Sequence, residues 1–178
     1  MLTDGSITLT PVALDDAPLL MAIDLDPDCV RWFDFPALDV EGAAHRAHAE
    51  DVIRRWQDEI SAGRCYHFTI RHDGIAIGVT ALRCSEPATG SLSYAVIAAH
   101  RGHGYATRAA RLLVTHAFER IGCSLVHLRT DVDNVASQRV AERAGFTRVR
   151  LDPGAHRFKH YPAYIGEARD EFVYELRR

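Results

Sequence analysis

Between His100 and Leu113 the chain reads HRGHGYATRAARLL. Two glycines, one residue apart, precede a run with helical spacing, although glycine inside a helix costs about 1 kcal/mol against alanine. A helix start gathers N–H groups without intrahelical acceptors and a partial positive charge, which suits an anion. Gly102 and Gly104 remove the side chains that would hold such an anion away. Arg101 adds a charged donor, and Arg108 and Arg111 follow along the helix. The stretch from Arg101 through Gly102, His103, Gly104, Tyr105, Ala106 and Thr107 therefore reads as a pyrophosphate cradle. Its donors are backbone N–H groups, with charge from Arg101 or Arg108.

Two familiar nucleotide motifs do not fit it. A P-loop needs Gly-Lys-Ser/Thr, which is absent. The dinucleotide fingerprint needs a third glycine where Thr107 stands, and an opening βαβ unit. A second stretch, DVDNVASQRVAERAGF, also carries chemistry. Asn134 suits a helix N-cap, Gly145 suits the residue past a helix end, and Ser137 sits three residues on, inside the first turn.

These groups must be held by a fold. SITLTPV alternates, with Ile7 and Leu9 on one face of a first strand. LDDAPLLMAI reads as a helix capped by Asp15 or Asp16, with Pro18 in its first turn. The segment around Trp32, Phe33 and Phe35, bounded by Pro27 and Pro36, reads as a loop or broken helix. Residues 40 to about 62 are helical, with Gly63 past the end. CYHFTIRH and IAIGVTALRC flank Asp73-Gly74 as a hairpin, and SLSYAVIA is a further strand. After the glycine turn come a helix, the strand CSLVHLRTDV, the Asn134 helix, FTRVRLD and a closing strand, RDEFVYELRR. The order predicts one mixed α/β domain over residues 1–178, antiparallel in its first half, with about seven strands and about four helices.

With both motifs in place, the chain resembles the GNAT acetyltransferases. Arg101 to Thr107 matches the family's Arg/Gln-x-x-Gly-x-Gly/Ala motif, and the Asn134 helix ending in Ala-Gly-Phe matches its later segment. TLTPVALDDAPLL resembles the family's opening strand and helix, RWFDFP its acceptor-side loop, and RDEFVYEL its last strand. The likeness spans roughly residues 6–177 and is greatest to the RimJ/RimL-like branch of ribosomal-protein N-terminal acetyltransferases. It implies a GNAT fold, with a central, mostly antiparallel, twisted sheet whose central strands splay apart.

The resemblance also implies acetyl transfer from acetyl-CoA to a primary amine by direct attack. In the family the splayed strand before the glycine loop bonds the pantetheine arm. Here that is residues 94–98, with Val96 and Ile97 central and the Val96 N–H polarising the acetyl carbonyl. Asn134 then contacts the cofactor, or serves only as a cap, and Ser137 protonates the leaving thiolate. Trp32 and Phe33, with Tyr94, line the acceptor pocket, although the two former residues and Phe35 fit a core role equally. The loop from His156 to Tyr164 borders the same pocket or is plain surface. An attacking ammonium must lose a proton. Many relatives place a Glu where this chain has Ser91, and Asp131, His127, His67, Glu86, His156 or water remain as the base.

Composition narrows the function classes. The chain has 178 residues, 47% hydrophobic and 25% charged, with a net charge of −3, which argues against nucleic acid as partner. No apolar run reaches a membrane span and no secretory leader opens the chain, so a cytoplasmic protein without a membrane partner is expected. Cys29, Cys65, Cys84 and Cys123 form no CxxC pair, and His45 and His48 read as surface residues, so no metal is expected. A homodimer is implied by the resemblance alone. The resemblance implies a protein or peptide N-terminus as the acceptor. The alternatives are a small amine such as an antibiotic, polyamine or amino acid, or a non-catalytic acetyl-CoA sensor.

Overall fold

The computed structural model describes residues 1–33, 41–156 and 169–178. Phe35, the side chain of His156 and the remainder of the loop to Tyr164 lie outside the described residues. The described strands are β1 (Leu2–Thr3), β2 (Thr8–Pro11), β3 (Cys65–His72), β4 (Ile75–Glu86), β5 (Thr89–Val96), β6 (Leu125–Asp131), β7 (Thr147–His156) and β8 (Arg169–Arg177). The described helices are α1 (Ala17–Asp24), α2 (Pro27–Phe33), α3 (Gly42–Ser61), α4 (Tyr105–His116) and α5 (Val135–Ala144). The strands form one sheet in the order β1-β2-β3-β4-β5-β6-β8-β7. All neighbours are antiparallel except β5 and β6.

The expected class holds, with two corrections in number. The described residues form eight strands rather than about seven, and five helices rather than about four. The extra strand is β1, too short for any alternation to show. The extra helix is α2, where the sequence reads as a loop or broken helix. Pro27 supplies a pre-set φ for its first position, and Asp26 caps it by accepting the N–H groups of Asp28 and Cys29 at 3.0 and 3.1 Å.

Two layers of helix enclose the sheet. Ile7, Leu9, Ile70, Leu82, Leu92, Val126 and Leu128 pack under Ala109, Ala110 and Leu113 of α4 and Ala141 and Ala144 of α5. On the opposite side α1 and α3 meet through Ala17, Leu20, Ala49 and Ile53, and Cys29 of α2 joins Leu19 and Ile23 over Ala95. Asp73 and Gly74 turn the β3–β4 hairpin with φ of 49° and 79°, as an Asp-Gly pair should. In β4, Ile70 opposes Gly78 and Arg71 opposes Ala76, so Ile77 is an extra, bulged residue. Gly78 lies flat against β5; a Cβ there would sit on the Ala95 carbonyl oxygen.

One histidine differs from its sequence reading. His45 turns inward, only 3% exposed, with Nε2 3.2 Å from the Asp24 carboxylate. His67 is buried too, stacked on Trp56 at 4.5 Å and 2.7 Å from Glu59, whose carboxylate also receives Arg83 at 3.2 Å. Glu59, Cys65 and His67 place donors within 4.8 Å of one another. Arg83 holds the carboxylate and burial pushes the Cys65 thiol up to about 12, so this is an ion-paired seam rather than a cation cage.

That seam makes stability pH-dependent. Burial lowers the basicity of His67, partly opposed by Glu59, and burial does the same to His116 and His127. Such histidines bind fewer protons folded than unfolded, so stability is complete above roughly pH 6.5 and drains as pH falls below it. Burial pushes Glu59 and Asp26 up, but hydrogen bonds from His67 and Arg83, and from Arg101, outweigh it and hold both low. Their contribution is complete above the ordinary carboxylate range and is lost on acidification through the depressed values. Denaturant melts across pH should therefore show stability falling first below about pH 6.5 and again below about pH 4. A plateau from pH 7 to 5 would show that the buried histidines are not held neutral.

Candidate active site

The site opens where two paired strands part. β5 and β6 are in register only from Thr89 opposite Leu125 to Ser91 opposite His127. Beyond that point β5 keeps its pairing with β4 as far as Val96, and β6 keeps its pairing with β8 as far as Asp131. The freed edges line a cleft of about 400 Å³, a volume ordinary for a small-molecule site. Leu92, Ser93, Tyr94, Ala95 and Val96 form one wall and Leu128, Arg129, Thr130 and Asp131 the other.

Backbone polarity on that wall follows from register. The Ile97 N–H donates to the Ile77 carbonyl of β4 at 3.1 Å. Alternation then turns the N–H and C=O of Val96, and those of Tyr94, to the opposite edge, toward the splay. The Val96 carbonyl accepts Arg101 Nε at 2.8 Å on that edge. A buried strand edge without a partner strand is a row of donors and acceptors waiting for an extended ligand.

The glycine turn closes one end of the cleft. Gly102 and Gly104 have φ of +82° and +79°, and a Cβ on either would meet nothing within 4 Å. Gly104 caps α4 without a side chain, and the first intrahelical bond runs from Arg108 N–H to Gly104 O. The N–H groups of the first turn therefore face an empty concavity, which has the polarity and room that a pyrophosphate requires.

α5 closes the other flank. Asn134 Oδ1 caps the helix by accepting the Ser137 N–H at 3.0 Å, so the cap role is real, while its amide NH₂ has no hydrogen-bond partner among the described residues. Tyr94 reaches across from β5, its hydroxyl 2.8 Å from Ser137 Oγ and 3.3 Å from the Ser137 carbonyl. Burial pushes the Tyr94 phenol well up, so it stays protonated at neutral pH. Across the cleft Asp131 is 5% exposed. Its Oδ1 accepts the Asp133 N–H at 2.8 Å. Its Oδ2 makes no hydrogen bond among the described residues, and Arg169 Nη1 lies 3.3 Å away as its ion-pair partner. Thr130 Oγ1 is likewise buried without a hydrogen-bond partner among the described residues.

Most of the sequence-selected residues meet here. Trp32 and Phe33 of α2, Tyr94, Val96, Arg101, Gly102, Gly104, Tyr105, Ala106, Thr107, Asn134 and Ser137 all line the cleft. Ile97 instead packs toward α1 and α2, and His103 is exposed, stacked on Tyr105 at 5.6 Å. The arginines differ from expectation in their partners. Arg108 is bound to Asp4 at 2.8 Å, and Arg101 to Asp26 and Asp28 at 2.6 Å each. Arg139 and Arg143 of α5 also line the cleft and form no ion pair among the described residues. Their spacing with Ala136 and Val140 marks one helix face, a signal present in the sequence. Of the base candidates, Asp131 lines the cleft, whereas His67 is tied into the α3 seam. Cys29 lines it as well, but burial, reinforced by Asp26, pushes its thiol up to about 11, which leaves no thiolate nucleophile.

Comparison with known proteins agrees with this geometry. A family model described as the acetyltransferase (GNAT) domain matches residues 6–147. No curated protein matches in sequence. Among solved structures, the microcin C7 self-immunity acetyltransferase MccE in complex with acetyl-CoA and AMP superposes with a TM-score of 0.84 at 19% identity, over 98% of this chain and 94% of that one. RimL, the ribosomal L7/L12 α-N-protein acetyltransferase in complex with coenzyme A, gives 0.84 at 18%, over 99% and 98%. Spermidine N-acetyltransferase from Vibrio cholerae, with CoA and spermine, gives 0.78 at 12%, over 98% and 96%. Likeness at such identities establishes a shared fold, while the acceptors named for these structures are chemically diverse.

Proposed function

The chain belongs to the GNAT acetyltransferase family, and on that premise we propose that it moves the acetyl group of acetyl-CoA to a primary amine, the amine of a protein or peptide N-terminus. The observation that carries the reading is the splay between β5 and β6, with the side-chain-free cap Gly104 at one end and the Tyr94–Ser137 pair inside. The pyrophosphate rests on the first turn of α4. Arg139 and Arg143 supply its countercharge, because Arg101 and Arg108 already face carboxylates.

The pantetheine arm extends along the free edge of β5 as an added strand, which brings the thioester to Val96. The Val96 N–H stabilises the carbonyl oxygen as it gains charge. The amine nitrogen attacks the carbonyl carbon, the carbon–sulfur bond breaks, and the thiolate leaves toward the hydroxyls of Tyr94 and Ser137. Asp131, on the cleft wall and ion-paired to Arg169, receives the ammonium's proton through water.

The test is acetyl-CoA-dependent thiol release against peptides with varied first residues, polyamines, amino acids and aminoglycosides. Release with peptides alone is expected, and Asp131→Asn should lower that turnover by about 100-fold. Release with small amines alone transfers the same chemistry to a small acceptor. Tight acetyl-CoA binding without release on any amine would make the protein a sensor and overturn the enzymatic reading.

A further inference from the structure

Arg101 opens the glycine loop, yet it is held from three sides. Its Nη2 donates to Asp26 Oδ1 and its Nη1 to Asp28 Oδ2, both at 2.6 Å, and its Nε donates to the Val96 carbonyl at 2.8 Å. Asp26 is 7% exposed and uses both oxygens. Oδ1 also caps α2, and Oδ2 accepts the Ala98 N–H at 3.2 Å. Two carboxylates face one guanidinium, so its surroundings carry no surplus positive charge to offer a pyrophosphate.

The geometry has a different consequence. Arg101 grips residue 96 and Asp26 grips residue 98, on either side of the point where β5 ends. The same carboxylate begins α2, the helix that brings Trp32 and Phe33 to the cleft. The pair thus ties the Val96 peptide to the α2 wall through short, charge-assisted bonds from one planar guanidinium, a rigid linkage for side chains.

We propose that Asp26 and Arg101 are positioning residues that fix the end of β5 and the α2 wall as one unit, and that Arg101 is not a phosphate ligand. Resting on the acetyl-transfer reading above, the unit aims the Val96 N–H at the thioester oxygen while α2 sets where the amine enters. Misplacing a reacting group by about 1 Å costs on the order of 100-fold in rate. The pair therefore acts on turnover rather than on cofactor affinity.

Asp26→Asn tests this with little disturbance. Asparagine remains a good N-cap for α2, but it loses the charge opposite Arg101 and presents NH₂ where Oδ2 accepted the Ala98 N–H. Arg101→Lys is the companion, since one ammonium cannot span three acceptors. Acetyl-CoA affinity is read by calorimetry, kcat and KM with the amine the wild type uses, and amide exchange across 96–101 and α2. Both variants should lower kcat about 10- to 100-fold, leave acetyl-CoA Kd within about twofold, and speed exchange in both segments. A phosphate-binding Arg101 held back by its carboxylates predicts opposite signs: Asp26→Asn would tighten acetyl-CoA and Arg101→Lys would weaken it. That result overturns the proposal, as does unaltered exchange with unaltered kcat. If the wild type itself does not bind acetyl-CoA, the functional reading fails, and exchange alone still decides whether the two segments are coupled.

Discussion

Gly104→Val should bind acetyl-CoA at least about 100-fold more weakly than the wild type, with turnover lost in proportion. Two effects add. The residue sits at φ +79°, the left-handed region that a β-branched side chain enters at a cost of about 1–3 kcal/mol. It is also the cap of α4, so valine methyl groups would stand over the N–H groups of the first turn, where nothing now lies within 4 Å. The first effect weakens the fold and the second blocks the ligand, and they can be separated. Gly122, at the far end of the segment that continues α4, has φ +89° and does not line the cleft. Gly122→Val carries the same backbone penalty and should lower Tm while preserving acetyl-CoA affinity. Calorimetry on both variants decides the matter. If a folded Gly104→Val binds acetyl-CoA like the wild type, the phosphates do not rest on this turn.

The glycine turn was legible because its chemistry is local. Positive φ, an absent side chain and a helix start all lie within a few residues, and each leaves a mark on residue type. The α4 register, the Asp-Gly hairpin and the Asn134 cap were readable for the same reason. What escaped reading depends on distance. Arg101 looks like a phosphate ligand in sequence because its carboxylates, Asp26 and Asp28, are 75 and 73 residues away. His45 looks like a surface residue because Asp24, 21 residues earlier, is brought beside it only when α1 packs on α3. α2 escaped because seven residues between turn signals show no full period of amphipathicity, and its cap precedes a proline that reads as a breaker. Arg139 and Arg143 could be placed on a helix, but only the splay of β5 from β6 determines that their face meets a cleft. The splay itself leaves no trace in composition, since Leu92 and Leu128 are ordinary core residues on either side of it.

The hydroxyl pair inside the cleft yields the second large effect. Tyr94 and Ser137 share one hydrogen bond at 2.8 Å, so one of their two hydroxyl hydrogens remains for a third acceptor, the Ser137 carbonyl 3.3 Å from the phenol in this structure and the sulfur when acetyl-CoA is bound. A thiol ionises near 8.5 and a phenol near 10, and burial raises Tyr94 further. The phenol therefore does not surrender its proton to a thiolate outright; it donates a hydrogen bond to the sulfur as the carbon–sulfur bond breaks, and the proton follows from solvent. A donor aimed at developing charge is worth about 100- to 1000-fold in rate. Tyr94→Phe should lower kcat by that order with little change in acetyl-CoA affinity, because the ring itself packs against the core. Ser137→Ala should cost less, since the Tyr94 hydroxyl hydrogen, which the Ser137 carbonyl accepts at 3.3 Å in this structure, can still turn to the sulfur without the serine hydroxyl. The double variant should be no slower than Tyr94→Phe alone, as expected for two groups that act as one. Losses that multiply would show two independent donors, and a larger loss for Ser137→Ala would make the serine the group on the sulfur. The pH profile separates the roles as well. A phenol held above its ordinary value keeps its donor form through neutral and mildly alkaline pH, so kcat should rise as the amine deprotonates and then stay level to about pH 9. A fall in that range, present in the wild type and absent in Tyr94→Phe, would mean that the phenol ionises within it and gives its proton to the sulfur.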